Sequence, residues 1–306
     1  MLLFWLEFAG IFLGLMVSAE FLAKGSEELE KKWGQGIVGG ILLGFLTALP
    51  ETIFVIIASI TGNFDIALGS AIGGNVLLFT VGLGIVGVAY WLKWRENIII
   101  STEYDIENKF LLISTIAMVL VLFYGKLNII SGTLLISIYA YYLYYRIIKR
   151  EKVDKSEKIS MKKPLVLMTI GGVLLVILSH PFIEYIHVIA EALHVPAIWL
   201  SLVISPIAGE LEEKISSIRL VQMSKTGGSL SILSFVGSKI ENATVLLGII
   251  GFFTDYSLYS ALPEYIAAIV ANIIALYFLF DKKFGLLESI ILFGLYVIII
   301  GLSFIT

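Results

Sequence analysis

The chain has very few of the residues on which most soluble active sites depend. Its 306 residues include no cysteine and three histidines, and only 15% of them are charged. The absence of cysteine excludes disulfides, thiolate metal sites and thiol catalysis. No phosphate-binding loop, no Ser/His/Asp set in a plausible context and no basic aromatic face is present. We therefore expect no enzyme activity, no cofactor, and neither a nucleotide nor a nucleic acid as partner.

Long apolar runs are what the chain has instead. Hydrophobic residues make up 58% of the sequence, and the mean hydropathy is +0.98. Unbroken runs of about twenty apolar residues suit transmembrane helices, whereas barrel strands need alternating polarity. We predict an all-α integral membrane protein with the lipid bilayer as its partner and ten spans. The spans are placed at 3–23, 36–60, 65–92, 110–124, 127–148, 164–184, 196–222, 229–253, 260–280 and 284–304.

Basic residues predict how the spans are oriented. The polar stretch from Arg146 to Lys163 holds eight of the 21 lysines and arginines, so we expect this linker to be cytoplasmic and the amino terminus outside. The outside loops then contain only Lys126. The first apolar run lacks a basic leader and a cleavage site, and we expect it to be a retained span. The loops predicted inside carry Lys24, Lys31, Lys32, Lys93, Arg95, Lys109, Lys225, Lys282 and Lys283.

The linker also divides the chain into two halves of five spans. We predict a first repeat at 1–149, a linker at 150–163 and a second repeat at 164–306. Because five is odd, two related halves would insert in opposite orientations, as in many secondary transporters. A weak internal similarity supports this plan: it sets Glu51 against Glu213, residues 70–78 against 234–242, and Gly84 against Gly248.

Charged residues lie inside several of these apolar segments. An ionisable side chain at the centre of a span costs roughly 2.5–3.5 kcal/mol on insertion scales, so such residues indicate function. Helical spacing allows Glu210 to pair with Lys214 while Glu213 faces the centre, with Glu212 about 100° away from its neighbour. The charged set is Glu51, Glu210, Glu212, Glu213, Lys214, Lys239 and Glu241.

Two prolines stand beside these acids. Pro50 is predicted to break the second span and to leave the carbonyl of Leu46 free, because proline has no N–H to donate. Pro206 is predicted to do the same to Leu202 in the seventh span. Free carbonyls and carboxylates are hard oxygen ligands, which favour calcium, sodium or magnesium. Broken helices near the midplane are where transporters collect such ligands.

An acidic LPE hairpin followed by a small-residue G-S-x-x-G-x-N helix resembles the cation/calcium antiporter superfamily, which includes sodium/calcium exchangers. The resemblance covers nearly the whole chain in plan and about fifty residues of each half in specific motifs. It implies two inverted five-helix repeats with calcium ligands on spans two, three, seven and eight, and spans one and six as the moving elements. The first half carries the matching residues Thr47, Pro50, Glu51, Gly69, Ser70, Gly73 and Asn75.

The second half departs from that pattern. Gly209 stands where the family has a threonine, Glu212 where it has a proline, and Lys239 where it has an asparagine. Asn242 stands at an acidic position, with Glu241 beside it. The candidate ion ligands are Glu51, Glu213, Thr47, Asn75, Asn242 and Glu210, and the candidate coupling or charge-compensating residues are Lys239, Glu241 and Glu212.

Lys239 admits three interpretations at this point. Its ammonium could replace a coupling sodium ion, it could carry a proton because burial favours the neutral amine, or it could only neutralise surrounding acids. We predict a secondary antiporter that exchanges Ca²⁺ for Na⁺ or H⁺ at a midplane carboxylate site. The alternatives are a proton-coupled exchanger of Mg²⁺ or Na⁺, and a channel-like or regulatory membrane protein whose second-repeat site is degenerate.

Overall fold

A computed structural model describes residues 2–33, 48–101, 104–149 and 162–305, and this part of the chain is almost entirely helical. The first-half elements are α1 (Leu2–Trp33), α2 (Leu49–Ile60), α3 (Phe64–Leu77), a π-helical turn (Leu78–Gly82), α4 (Leu83–Trp94), β1 (Ile98–Ile99), α5 (Tyr104–Tyr124), β2 (Lys126–Leu127) and α6 (Ile129–Lys149). The second-half elements are α7 (Lys162–Leu193), α8 (Ala197–Met223), α9 (Gly227–Glu241), a π-helical turn (Asn242–Leu246), α10 (Leu247–Phe253), β3 (Tyr256–Ser257), a 3₁₀ turn (Leu258–Ala261), α11 (Leu262–Phe278), β4 (Lys283–Phe284) and α12 (Leu286–Ile305).

The helices confirm the predicted membrane fold class. Each of the ten predicted spans overlaps a described helix, and seven helical segments of the described residues are long and apolar enough to cross a bilayer. The second span is described only through the short α2, and α8 carries several charges within its length. The first and sixth spans are longer than predicted, since α1 and α7 each have 32 residues. The fourth span begins earlier than the predicted residue 110, at Tyr104.

The two halves repeat each other in reverse orientation. Both π-helical turns begin at positions that the internal similarity sets opposite each other, Leu78 and Asn242. The short strands follow the same rule: β1 after α4 pairs antiparallel with β4, and β3 after α10 pairs antiparallel with β2. These two ladders close opposite ends of the bundle, because α5 joins them with 21 residues, or about 30 Å of helix.

Helices α3 and α8 form the centre of the bundle, and glycine allows their close approach. A Cβ at Gly69 would lie 2.9 Å from Ser201 Cβ, and one at Gly73 would lie 2.8 Å from Pro206 Cγ and 2.9 Å from the carbonyl carbon of Leu202. Nearly every residue of α3 is buried as a result. Small residues are the usual means of such packing between transmembrane helices.

The predicted break at Pro206 is wrong. Helix α8 continues through Pro206 without interruption, from Ala197 to Met223. Proline still removes one backbone donor, but α3 packs on this turn at Gly73 and holds it in helical conformation. Pro50, by contrast, lies in the first turn of α2, where a missing N–H has no intrahelical partner to lose. The carbonyl of Leu46 falls outside the described residues.

Helices α1 and α7 form a separate pair along one side. They pack mainly on each other, and Gly171 of α7 brings the two backbones together at the carbonyl of Ser18 and the amide of Leu22. Their contacts with α2 and α8 are fewer. The pair therefore covers the central helices on one side, and its inner residues, such as Leu15 and Phe182, join their hydrophobic core.

Candidate functional site

Glu51 enters the centre of the bundle from the first turn of α2. Its side chain is only 5% exposed. Gly209 of α8 lies directly beside it, since a Cβ there would stand 3.2 Å from Glu51 Cγ. A glycine at this position therefore leaves room for the Glu51 side chain against α8.

Lys239 of α9 joins the acids of the two halves. Its side chain is fully buried, and its Nζ lies 3.5 Å from Glu51 Oε2 and hydrogen-bonds Glu210 Oε1. Glu51, which has no lysine or arginine within a helical turn along the chain, thus acquires a basic neighbour from α9. The predicted i, i+4 pair is also present, with Lys214 Nζ 3.6 Å from Glu210 Oε2. Glu210 consequently contacts two ammonium groups, whereas Glu51 contacts one.

Glu213 lies in the same cluster but has different partners. Its Oε1 accepts a hydrogen bond of 3.1 Å from Ser238 Oγ. Glu213 Oε2 and Glu51 Oε1 are buried and accept no hydrogen bond from the described residues. Buried carboxylate oxygens without donors are costly, so each is a ready ligand for a cation.

The asparagines occupy two different environments. Asn75 Nδ2 donates to Asn272 Oδ1 at 2.8 Å and to the Lys239 carbonyl at 3.4 Å, and thus links α3 to α9 and α11. The side chain of Asn242 is fully buried and has no hydrogen-bond partner among the described residues. Both its amide and Lys239 Nζ lie against Gly74 of α3. Asn75 therefore ties helices together, while Asn242 has free hydrogen-bonding capacity beside the ammonium group.

Glu241 does not pair with Lys239 in this structure. It is fully buried, and its Oε2 accepts a hydrogen bond of 2.7 Å from Tyr139 OH on α6. Sequence reasoning did not select Tyr139, because a tyrosine in an aromatic-rich span carries no distinctive signal. It also missed Asn272, which donates to Thr115 Oγ1 at 3.2 Å. Asn272 did offer a signal, as an amide inside an otherwise apolar span.

Two of the nine candidates lie beyond what the structure describes. Thr47 falls outside the described residues, and nothing is described of the Glu212 side chain. Among the described residues, no three acidic or histidine side chains form a group that could already hold a metal ion. Glu51 and Glu210 instead face Lys239, so in this conformation a lysine ammonium supplies the cation of the cluster.

A small cavity of about 20 Å³ reaches this cluster from the side of α1 and α7. Glu51 and Gly209 lie on its inner wall, and Leu15, Leu175 and Phe182 lie on its outer wall. Its lining is therefore mostly apolar, with a carboxylate at the end that faces the centre of the bundle.

The sequence and the fold of this chain are similar to those of known proteins. The sequence profile described as sodium/calcium exchanger protein matches residues 3–148 and 163–305. The chain belongs to this family. The two matches separate at the basic linker, so each half is similar to the family on its own.

Individual members of the family show how far the similarity extends. The sodium/calcium exchanger NCL of Arabidopsis thaliana is 29% identical over 96 residues, which are 29% of this chain and 16% of that protein. The crystal structure of the H⁺/Ca²⁺ exchanger CAX has a TM-score of 0.79 at 18% identity and covers 96% of this chain and 84% of its own. The sodium-calcium exchanger NCX_Mj, soaked with Na⁺ and Sr²⁺, has a TM-score of 0.68 at 20% identity, over 98% and 99% of the two chains. These similarities establish the exchanger fold.

Two residues that depart from the pattern expected in the second half lie in this cluster. The resemblance implies an asparagine where Lys239 stands and a threonine where Gly209 stands. Lys239 points into the cluster between Glu51 and Glu210, and Gly209 gives Glu51 its room. The departures therefore lie at the centre of the site rather than at its edge.

Proposed function

We propose that this chain is a secondary antiporter that exchanges Ca²⁺ for Na⁺ or H⁺ by alternating access at a midplane carboxylate site. The observation that carries the proposal is the meeting of Glu51 from the first half with Glu210 and Glu213 from the second in one buried cluster that also contains Lys239 and Lys214. Membership of the sodium/calcium exchanger family supports the same function. The proposed repeats are residues 1–149 and 164–306, joined by a linker at 150–163.

The donor set favours a hard cation. Glu51, Glu210 and Glu213 offer carboxylate oxygens, Asn75 and Asn242 offer amide oxygens, and the cluster contains no sulfur or imidazole. Oxygen donors of this kind suit calcium, sodium or magnesium better than softer metals. We assign Glu51 and Glu213 the principal ligand roles, because each has a buried oxygen without a described hydrogen-bond donor and neither pairs with more than one described lysine, whereas Glu210 pairs with both Lys239 and Lys214.

Alternating access follows from the division of the bundle. Helices α1 and α7 pack mainly on each other, and the cavity at Glu51 lies between this pair and the central helices. We propose that the pair moves as a unit along α2 and α8 and opens the cavity first to one side of the bilayer and then to the other. The ligand-bearing helices stay fixed, since α3 and α8 are joined through glycine contacts.

Ion flux in proteoliposomes tests the function. Purified protein should take up Ca²⁺ when a Na⁺ or proton gradient is imposed, and Glu51→Gln should abolish that uptake. Glu184→Gln is the matched control, because Glu184 is 68% exposed and lies outside the cluster. Uptake that needs no counter-ion would indicate a channel, and no flux of any cation would indicate a non-transporting protein. Either result contradicts the proposal.

We also propose that the amino terminus is outside and the basic linker is cytoplasmic. Lys225, Lys282 and Lys283 lie at the bundle end closed by β1 and β4, whereas Lys126 lies in β2 at the other end. Most of the described basic loop residues thus lie on one side, and the positive-inside rule supports a cytoplasmic location for that side. Because the chain has no cysteine, single cysteines at positions 225 and 126 can report sidedness. A membrane-impermeant thiol reagent applied to whole cells should label only position 126.

A further inference from the structure

Lys239 occupies the place in which a transported cation would be expected. Its ammonium contacts Glu51 from α2 and Glu210 from α8, so it joins acids of opposite halves as a bound metal ion would. It is fully buried, while Glu210 is 1% exposed and Glu51 5% exposed. An ammonium held in this way is a cation that cannot leave the protein.

The surrounding helices are shaped for this ammonium. A Cβ at Gly74 would meet the Asn242 amide and the Glu210 carboxylate first and would lie 3.0 Å from Lys239 Nζ, so a larger residue on α3 would crowd all three groups. Asn75, the next residue, donates to the Lys239 carbonyl at 3.4 Å and holds this turn of α9 against α3. The backbone of Lys239 is thus held by α3, while Gly74 leaves space for its ammonium group.

A divalent ion and this ammonium exclude each other. Both would bind the Glu51 carboxylate, and two cations a few ångströms apart repel strongly where water is scarce. For an ion to bind, the ammonium must move away. Asn242 provides an acceptor for it, because the Asn242 side chain lies with Nδ2 against Gly74 beside Lys239 Nζ and its Oδ1 accepts no hydrogen bond from the described residues. In the ion-bound state Asn242 would then bind the ammonium instead of the ion.

We propose that Lys239 is a tethered cation, which occupies the empty site and is displaced by the transported ion on binding. This inference rests on the proposed function and concerns how the site works. The carboxylates would then never face each other without a positive charge between them. The ion's apparent affinity would be reduced by the competition, and Lys239 would shift toward Asn242 in each ion-bound state.

Calcium binding to the purified protein in detergent tests this competition. Lys239→Met should bind Ca²⁺ at least tenfold more tightly than the wild type. Lys214→Met is the matched control, since Lys214 is a buried lysine that also contacts Glu210 but has no ion pair with Glu51. Lys214→Met also removes one positive charge, but it leaves the Lys239 ammonium in place. The change in its Ca²⁺ affinity should be at least threefold smaller than the change in Lys239→Met. Equal effects of the two variants, or no gain in Lys239→Met, would overturn the proposal.

A structure of the wild type with saturating Ca²⁺ tests the same idea without any substitution, and thus remains decisive if Lys239→Met fails to fold. The proposal requires Lys239 Nζ to lie more than 4 Å from Glu51 once calcium occupies the site. Calcium bound to Glu51 with the ammonium still in place would refute it while leaving the exchange function intact. If neither the wild type nor either lysine variant binds any cation, both the exchange function and the tethered cation are refuted.

Discussion

The ion pairs around Glu210 make a quantitative prediction about stability. Glu210 is 1% exposed and contacts Lys239 and Lys214, the latter with 3.6 Å between Lys214 Nζ and Glu210 Oε2. At an effective dielectric constant of about 20, two unit charges at that distance interact with about 4–5 kcal/mol. Removing one partner of a buried pair costs about 3–5 kcal/mol, because the other charge stays buried without compensation. We therefore expect Glu210→Gln to lower the free energy of unfolding by about 3–5 kcal/mol.

The measurement is reversible unfolding in mixed detergent micelles, followed by tryptophan fluorescence and circular dichroism. Glu184→Gln is a suitable control, because Glu184 and His180 have the same i, i+4 spacing and the same 3.6 Å separation but are more than half exposed. Exposed ion pairs contribute about 0–1 kcal/mol to the free energy of unfolding, so Glu184→Gln should change it little. The double variant Glu210→Gln with Lys214→Met should recover part of the loss, since it removes the ammonium that has lost its ion pair, whereas Lys239 keeps its ion pair with Glu51. A Glu210→Gln loss no larger than that of Glu184→Gln would refute the reasoning.

Two further substitutions test the packing and the buried hydrogen bonds. Gly73→Ala should destabilise the protein by about 1–3 kcal/mol through overpacking, because its Cβ would meet the Leu202 backbone. Gly10 has open space around it, so Gly10→Ala should be nearly neutral in the same unfolding assay. Equal effects of the two variants would contradict this account. Tyr139→Phe should lower the free energy of unfolding by about 1–3 kcal/mol, because it removes the hydrogen bond to the buried Glu241. An unchanged free energy of unfolding would contradict this and would show that Glu241 finds another donor.

Periodicity and charge were enough to predict the membrane fold. Apolar run length set the spans, and the odd number of spans in each half required inversion. The internal similarity even aligned the two π-helical turns, whose first residues Leu78 and Asn242 it set opposite each other. The pair of Glu210 and Lys214 also followed from helical spacing, because both residues belong to one helix. These features depend on neighbours along the chain.

Contacts between helices were harder to predict. The sequence indicated that Lys239 would lie near acids, but not that it would contact Glu51 and Glu210 while Glu241 bonded Tyr139. Those partners depend on how α2, α6, α8 and α9 cross, which no spacing along one helix reveals. The continuity of α8 at Pro206 has the same origin, since it depends on packing against α3.

Stability alone does not explain why this chain keeps Glu51, Glu210, Glu213, Lys214 and Lys239 together at its centre. Replacing buried ion pairs by well-packed apolar residues is often neutral or stabilising, so an apolar core would fold at least as well. The glycines at Gly74 and Gly209 add to this argument, because they give up side-chain packing to make room for Lys239 and Glu51. Both the charges and the space around them are what a site needs if its internal cation is to give way to an external one.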